Sequence, residues 1–197
     1  MARIGLRLAL RKAQAEAGDI TLLFCDESEA LTHPYLAQAW ARCGADVRIQ
    51  APGQAKKVAI LGARDAVTRE LIVHTSRTKR STDFVALLDV LDRHLGPQSG
   101  RRGPPLVLVL DHGPIHTSRL STQALAARPW IAVEWLPKYA PELNEIERAW
   151  RDLKRHFLAH RSFTDADDLE AAIHHSVRGM NRERTRTLSC DNLRIAA

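Results

Sequence analysis

Five branched apolar residues in a row, Leu106-Val107-Leu108-Val109-Leu110, end abruptly at Asp111. Successive side chains of a strand point to opposite faces. A strand with no polar position is therefore buried on both faces, as in the middle of a parallel sheet covered by helices on either side. A sheet with one wet face is excluded at this position. The remaining elements must then supply the two covering layers.

They are spaced to do so. Ile20 to Cys25 forms a second apolar run, stopped by Asp26-Glu27-Ser28. Val58 to Leu61 and Leu71 to Val73 read as two further strands with a turn around Gly62 to Thr68, and the three together suit an antiparallel meander. Helical periodicity marks Ala2 to Ala17, with Leu6, Leu10 and Ala13 on one face among Arg3, Arg7, Arg11 and Lys12. It also marks Ser81 to Leu95, where Ser81 or Thr82 can cap and Phe84, Leu87, Leu88, Leu91 and Leu95 form the stripe. Gly96 to Pro105 is a loop, and His33 to Gly44 is irregular. A helix over His116 to Ala126 precedes a strand over Ile131 to Leu136. After the loop Pro137 to Pro141, a long helix runs from about Asn144 to His160, with Leu143, Ile146, Trp150, Leu153 and Phe157 as its apolar stripe. A last helix covers Ala166 to Met180. Three strands, then helix, strand, helix, strand and helix, specify an α/β layered fold with five strands.

The chain has 197 residues, 45% of them apolar, enough for one core of ordinary size. Its formal charge of +6 favours polyanionic partners without naming one. Cys25, Cys43 and Cys190 are odd in number and scattered, which gives neither a disulfide framework nor a zinc knuckle. No signal segment and no run of roughly 20 apolar residues is present, so the expectation is a reduced cytoplasmic protein with no membrane partner.

Two acids, Asp26 and Asp111, stand where the most apolar segments stop, and ligands of open α/β sheets bind beyond the carboxyl ends of strands. Either acid alone is most simply a turn former; the pair is harder to dismiss. Glu147 is the third candidate. Asn144-Glu145-Ile146-Glu147 also fits a capping box, and Glu147 can pair with Arg151 one turn on, so spacing gives those readings equal standing with catalysis. Glu147 lies beside the Ile146 and Trp150 stripe, at the edge of the face that packs on the sheet. Three carboxylates about 4 Å apart would repel by roughly 4 kcal/mol per pair at an effective dielectric near 20. A hard divalent cation offsets that repulsion, and paired ions suit phosphodiester chemistry.

Three segments carry a resemblance. They are Leu23-Phe24-Cys25-Asp26-Glu27-Ser28, Val109-Leu110-Asp111-His112-Gly113-Pro114-Ile115-His116 and Leu136-Pro137-Lys138-Tyr139-Ala140-Pro141-Glu142-Leu143-Asn144-Glu145-Ile146-Glu147-Arg148-Ala149-Trp150. They resemble the three acidic blocks of mariner-type DDE transposases, most closely the bacterial insertion-sequence branch, over roughly residues 20 to 160. The resemblance implies an RNase H-like (retroviral integrase-like) mixed five-stranded sheet flanked by helices. It implies that Asp26, Asp111 and Glu147 are catalytic and hold two Mg²⁺ or Mn²⁺ ions. It further implies cut-and-paste transposition, in which DNA is cleaved at the terminal inverted repeats and joined to target DNA, by a homodimer associated with the bacterial nucleoid. The expected division is a linker helix over 1–19, the catalytic domain over 20–163 and a C-terminal helix and tail over 164–197. Lys138, Ala140 and Glu145 depart from the family pattern at positions that are not metal ligands. Family members carry N-terminal helix-turn-helix domains, so a separate helix-turn-helix half is an expected partner. A nuclease of the same fold without strand transfer, or a remnant that binds DNA without catalysis, are the alternatives.

Arg148, Arg151, Lys154 and Arg155 follow Glu147 and are candidates for contact with the DNA backbone, against an ordinary solvated helix face. Arg161 belongs to the same cluster, and Arg178, Arg182, Arg184 and Arg186 could extend that surface or form a flexible tail. His116 and Asn144 are candidates to support the acids; His116 could equally orient a phosphate or cap the next helix. His112 with His116, and His156 with His160, have zinc-like spacing but no third ligand. Glu27 falls on the opposite face from Asp26 if the strand continues, and is expected at the surface.

Overall fold

The computed structural model describes residues 2–36, 40–46, 48–50, 53–97, 103–137 and 140–195. Five strands form one mixed sheet: β1 (Thr21–Leu31), β2 (Lys57–Asp65), β3 (Leu71–Ser76), β4 (Leu106–Leu110) and β5 (Ile131–Trp135), in the order β3-β2-β1-β4-β5. The β1, β2 and β3 neighbours are antiparallel, whereas β1-β4 and β4-β5 are parallel. This is the RNase H-like arrangement. The six helices are α1 (Ala2–Glu16), α2 (Ser81–Leu95), α3 (Pro114–Thr117), α4 (Arg119–Ala126), α5 (Ile146–Asp152) and α6 (Ala166–Ile195).

Strict alternation builds two cores. Leu22 and Phe24 of β1, Ile60 of β2, and Val107 and Val109 of β4 meet Ile146, Trp150 and Leu153 after β5 and Ile173 and Val177 of α6. On the other face Leu23, Cys25, Leu61, Ala63, Leu106, Leu108 and Leu110 meet Phe84, Leu87, Leu88 and Leu91 of α2. Leu106 to Leu110 lies inside the sheet between β1 and β5, one strand from the edge, with β1 rather than β4 at the centre, and all five residues are buried as inferred.

Several local expectations are corrected. β1 does not stop at Cys25. It continues through Asp26 and Glu27 to Leu31 because β2 pairs with it along that whole length, from Leu23↔Asp65 to Leu31↔Lys57. Gly62 is accordingly mid-strand, and the turn is confined to residues 66–68. The helix expected from His116 is two helices, α3 and α4, broken at Ser118, whose side chain accepts from the Ser121 amide. Arg80, not Ser81 or Thr82, occupies the cap of α2, with its amide donating to Asp83. The long helix after Asn144 is α5 followed by a π-helical turn over Leu153–Phe157, closed by the Leu158 amide on the Leu153 carbonyl at 3.0 Å. The helix begun at Ala166 runs well past Met180.

α1 packs by a different face from the one its leucines suggested. Leu8 and Ala15 are buried, whereas Leu6 and Leu10 are exposed. Long cationic side chains complete the packing face. Arg7 and Arg11 pair with Glu134 of β5, and Lys12 pairs with Glu145 and lies 5.5 Å over the Phe24 ring. No helix among the described residues is long and apolar enough to cross a membrane.

Candidate active site

Asp26 sits in β1 where that strand loses its parallel neighbour. β4 pairs with β1 as far as Phe24↔Val109 and ends at Leu110, so two residues on Asp26 and Asp111 are level on adjacent strands. Neighbouring strands are about 4.8 Å apart. On the other side Asp26 faces Gly62 of β2. That residue allows α5 to approach: a Cβ there would lie 2.5 Å from Cη2 of Trp150. The Trp150 indole on Gly62 sets the height of α5, and Glu147, one turn earlier, comes beside Asp26.

The carboxyl of Asp26 is raised to about 8. Burial is the main cause; the Glu27 amide works against it, and the charges of Glu27 and Glu147 add to it. Asn144 is buried and donates from Nδ2 to the Cys25 carbonyl at 3.2 Å and to Oδ2 of Asp26 at 3.3 Å. Its Oδ1 is buried without a partner. The capping-box reading therefore falls. Glu145 holds the cap position of α5, and the Asn144 side chain is turned to the strand acid instead. Nor does Glu147 pair with Arg151 among the described ion pairs.

Asp111 is built differently. Its Oδ1 accepts from the Gly113 amide at 2.9 Å and from Nδ1 of His116 at 2.7 Å, while Oδ2 has no partner among the described residues. A Cβ on Gly113 would lie 2.9 Å from that Oδ1, so a side chain there would crowd the carboxylate. His116 is fully buried and meets the Phe84 ring edge-on at 4.8 Å. Its Nε2 is 3.2 Å from Oε1 of Glu27, within ion-pair distance but not aligned as a hydrogen bond. Burial opposes charge on His116, yet the hydrogen bond to Asp111 and the closeness of Cys25 and Glu27 outweigh it and push the imidazole up to about 12. The imidazolium in turn holds Asp111 below the usual carboxylate range.

The fold thus draws Asp26 and Glu147 together, with Asp111 level beside Asp26 but turned toward His116. Among the described residues no three His, Cys, Asp or Glu side chains close on a single point. His116 and Asn144 each hold one of the acids. Glu27 is a correction: it is not at the surface, its side chain being only 12% exposed against His116. Alternation along β1 put it on the opposite face from Asp26; only the packing of α3 onto that face buried it. The sequence reading also missed Gly62, whose signal was only a glycine opposite an acid. Arg148, Arg151 and Arg155 are exposed and Lys154 half-buried, and none forms an ion pair among the described residues. His156 and His160 are solvent-exposed as expected, and His112 packs edge-on to Trp135 at 5.1 Å.

The family model described as DDE superfamily endonuclease matches residues 21–170, from the first residue of β1 into α6. Over 146 residues the chain is 29% identical to the insertion element IS630 uncharacterized 39 kDa protein of Shigella sonnei, covering 74% of this chain and 41% of that one. Over 67 residues it is 34% identical to the uncharacterized protein y4pE/y4sA of Sinorhizobium fredii, covering 34% and 47% respectively. The chain therefore spans less than half the length of these relatives. In fold it is similar to Mos1 transposase in its paired-end complex with the left transposon end, with TM-score 0.62 and 15% identity over 95% of this chain and 60% of that one. The catalytic domain of Mos1 mariner transposase gives TM-score 0.56 and 14% identity, over 95% and 89%. The match from β1 into α6 takes in all three acids and both residues that hold them, and the chain belongs to the DDE superfamily endonucleases.

Proposed function

We infer that this chain is the catalytic domain of a transposase, which cleaves DNA at the terminal inverted repeats of its element and joins the freed end to target DNA. The observation that carries the reading is the meeting of Asp26 and Glu147 with Asp111 level on the next strand. Burial, with the like charges of Glu27 and Glu147 added to it, raises this acid to about 8, as in a place that lacks its counter-charge. The donor set consists of carboxylate oxygens, which suits Mg²⁺ or Mn²⁺ better than zinc. Asp26, Asp111 and Glu147 would hold two such ions. When bound, they supply charge stabilisation and activation of an attacking hydroxyl for phosphodiester transfer. Mos1 transposase has been solved in paired-end complexes with Mn and with Mg, which supports divalent metal here.

The residues of the chain do the positioning. Asn144 steadies Asp26, and His116, backed by Glu27, fixes the orientation of Asp111. Arg148, Arg151, Lys154 and Arg155, on α5 and the π-helical turn after it and without ion pairs among the described residues, would lie along the phosphate backbone. A homodimer on paired DNA ends, in the cell interior at the nucleoid, is the assembly that fits this reading. The test is nicking of a duplex carrying element ends, with Mg²⁺ or Mn²⁺ and with EDTA, for the wild type and Asp111→Ala. Metal-dependent nicking lost in the variant, and joining of a 3′-hydroxyl end to a second duplex, are expected. Equal nicking by the variant would sink the assignment. Nicking without joining would leave a nuclease.

A further inference from the structure

Beside the acidic pair, between α1, the β2–β3 turn and α5, lies a cleft of about 370 Å³. Lys12, Arg64, Arg69 and Arg148 line it, with Glu145 and Asp152 among the acids. Arg64 forms its base and is only 9% exposed. A buried guanidinium is ordinarily paired with a carboxylate. This one is not: its Nη1 donates to the backbone carbonyl of Glu145 at 2.8 Å, its Nε has no partner, and no carboxylate of the described residues reaches it. Glu16 also lines the cleft but forms no ion pair with Arg64 among the described residues, and the other two acids are engaged. The Glu145 carboxylate is 2.5 Å from Lys12, and that of Asp152 is 4.0 Å from Arg184. Burial, and then the neighbouring charge of Arg184, lower the Arg64 pKa, as expected for a cation short of counter-charge. At the rim the exposed Arg69 has no ion pair among the described residues, and its backbone carbonyl is tied down by Nη1 of Arg184 at 2.7 Å.

We propose that this cleft is a phosphate site, in which Arg64 and Arg69 hold a backbone phosphate of the DNA strand that runs past the acidic pair. The identity of that phosphate as DNA rests on the function inferred above; the need of Arg64 for an anion does not. The position suits such a role. Arg64 is two residues from Gly62 on the same face of β2, and Gly62 faces Asp26, so the Arg64 backbone is about 7 Å along the strand from the level of Asp26. A planar guanidinium can give a phosphate two parallel hydrogen bonds.

The test is binding of a short labelled duplex by fluorescence anisotropy, in EDTA and over a range of salt, with the full chain. Arg64→Gln and Arg69→Gln are compared with Arg93→Gln, an exposed charge on α2 across the sheet. The two cleft variants should each weaken binding about 3- to 10-fold and reduce the salt slope by about 1, with Arg93→Gln unchanged. Arg69 is on the exposed rim, so its variant keeps the test open if Arg64→Gln does not fold. Wild-type affinity in Arg69→Gln and in any folded Arg64→Gln overturns the proposal, as does an equal loss in Arg93→Gln. In a parallel thermal melt, inorganic phosphate at constant ionic strength is compared with chloride. Stabilisation by phosphate that needs Arg64, with DNA affinity unaltered, would overturn DNA as the source and leave a free-phosphate site. Because binding is read without metal, a failure to cleave DNA leaves this result standing. Cleavage that is normal with cleft variants that bind normally removes the cleft and leaves the catalytic reading intact.

Discussion

Replacing Asp26 by Asn should make the metal-free protein more stable, although it removes a proposed ligand. Burial and the charges of Glu27 and Glu147 raise the Asp26 carboxyl from 3.8 to about 8. A raised acid means that the folded chain binds a proton more tightly than the unfolded chain. Its stability therefore falls as pH climbs through that window. At about 1.4 kcal/mol per unit the ceiling is roughly 5–6 kcal/mol, fully developed only above about pH 8. Against it stands one lost hydrogen bond. Asp26 accepts from the Glu27 amide at 2.8 Å through Oδ1 and from Asn144 through Oδ2. An Asn side chain has one acceptor oxygen, so it keeps one of these and forfeits about 1–2 kcal/mol. The expected net gain for Asp26→Asn is roughly 2–4 kcal/mol near pH 8.5, closing to about zero near pH 5. Urea unfolding of both proteins in EDTA across that range measures it. A variant no more stable than wild type at the alkaline end, or a gap that does not close on acidification, would refute the account of a largely desolvated Asp26 beside like charges. Adding Mg²⁺ should then stabilise the wild type and not the variant.

Other parts of the site make equally definite demands. Gly62→Ala places a methyl 2.5 Å from the Trp150 ring, and should cost about 1–3 kcal/mol in chemical denaturation and reduce nicking by displacing α5 and Glu147. His116→Gln removes a buried cation between Glu27 and Asp111, with an expected loss of about 3–5 kcal/mol. Because the imidazole is raised to about 12, that loss should be greatest below about pH 6.5 and shrink by up to about 1.4 kcal/mol per unit above it, as urea titrations at several pH values would show. Asp83→Ala strips the cap of α2 of a carboxylate bonded to Ser76, Thr78 and the Arg80 amide, each at 2.8 Å; a loss of about 1–2 kcal/mol, read as a melting point about 3–6 °C lower, is expected without any change in the metal dependence of nicking.

The sequence by itself determined the layers and proposed the acids. A wholly apolar Leu106 to Leu110 can sit only between two covered faces, and α2 shows its stripe in Phe84, Leu87, Leu88 and Leu91 because helical period and burial coincide there. Asp26, Asp111 and Glu147 stood out because acids beside apolar segments are expensive unless used. Tertiary structure decided what each of these groups touches. Asp26 looked like a strand end, yet the ladder to β2 carries β1 five residues further, a pairing no local pattern announces. Asn144 and Glu147 matched a capping box equally well, and only the seating of Trp150 on Gly62 turns Asn144 to Asp26. Glu27 was legible as facing away from Asp26 but not as buried, since burial depends on His116 arriving 89 positions later in the chain. Arg64 is the extreme case. As one arginine at the end of a strand it carries no signal, and its meaning comes from the packing of α1 and α5 around it while Glu145 and Asp152 pair with other cations. Periodicity and composition record the energy of burying a side chain in its own element; charge balance at a point is a sum over elements distant in sequence, and only the assembled fold performs that sum.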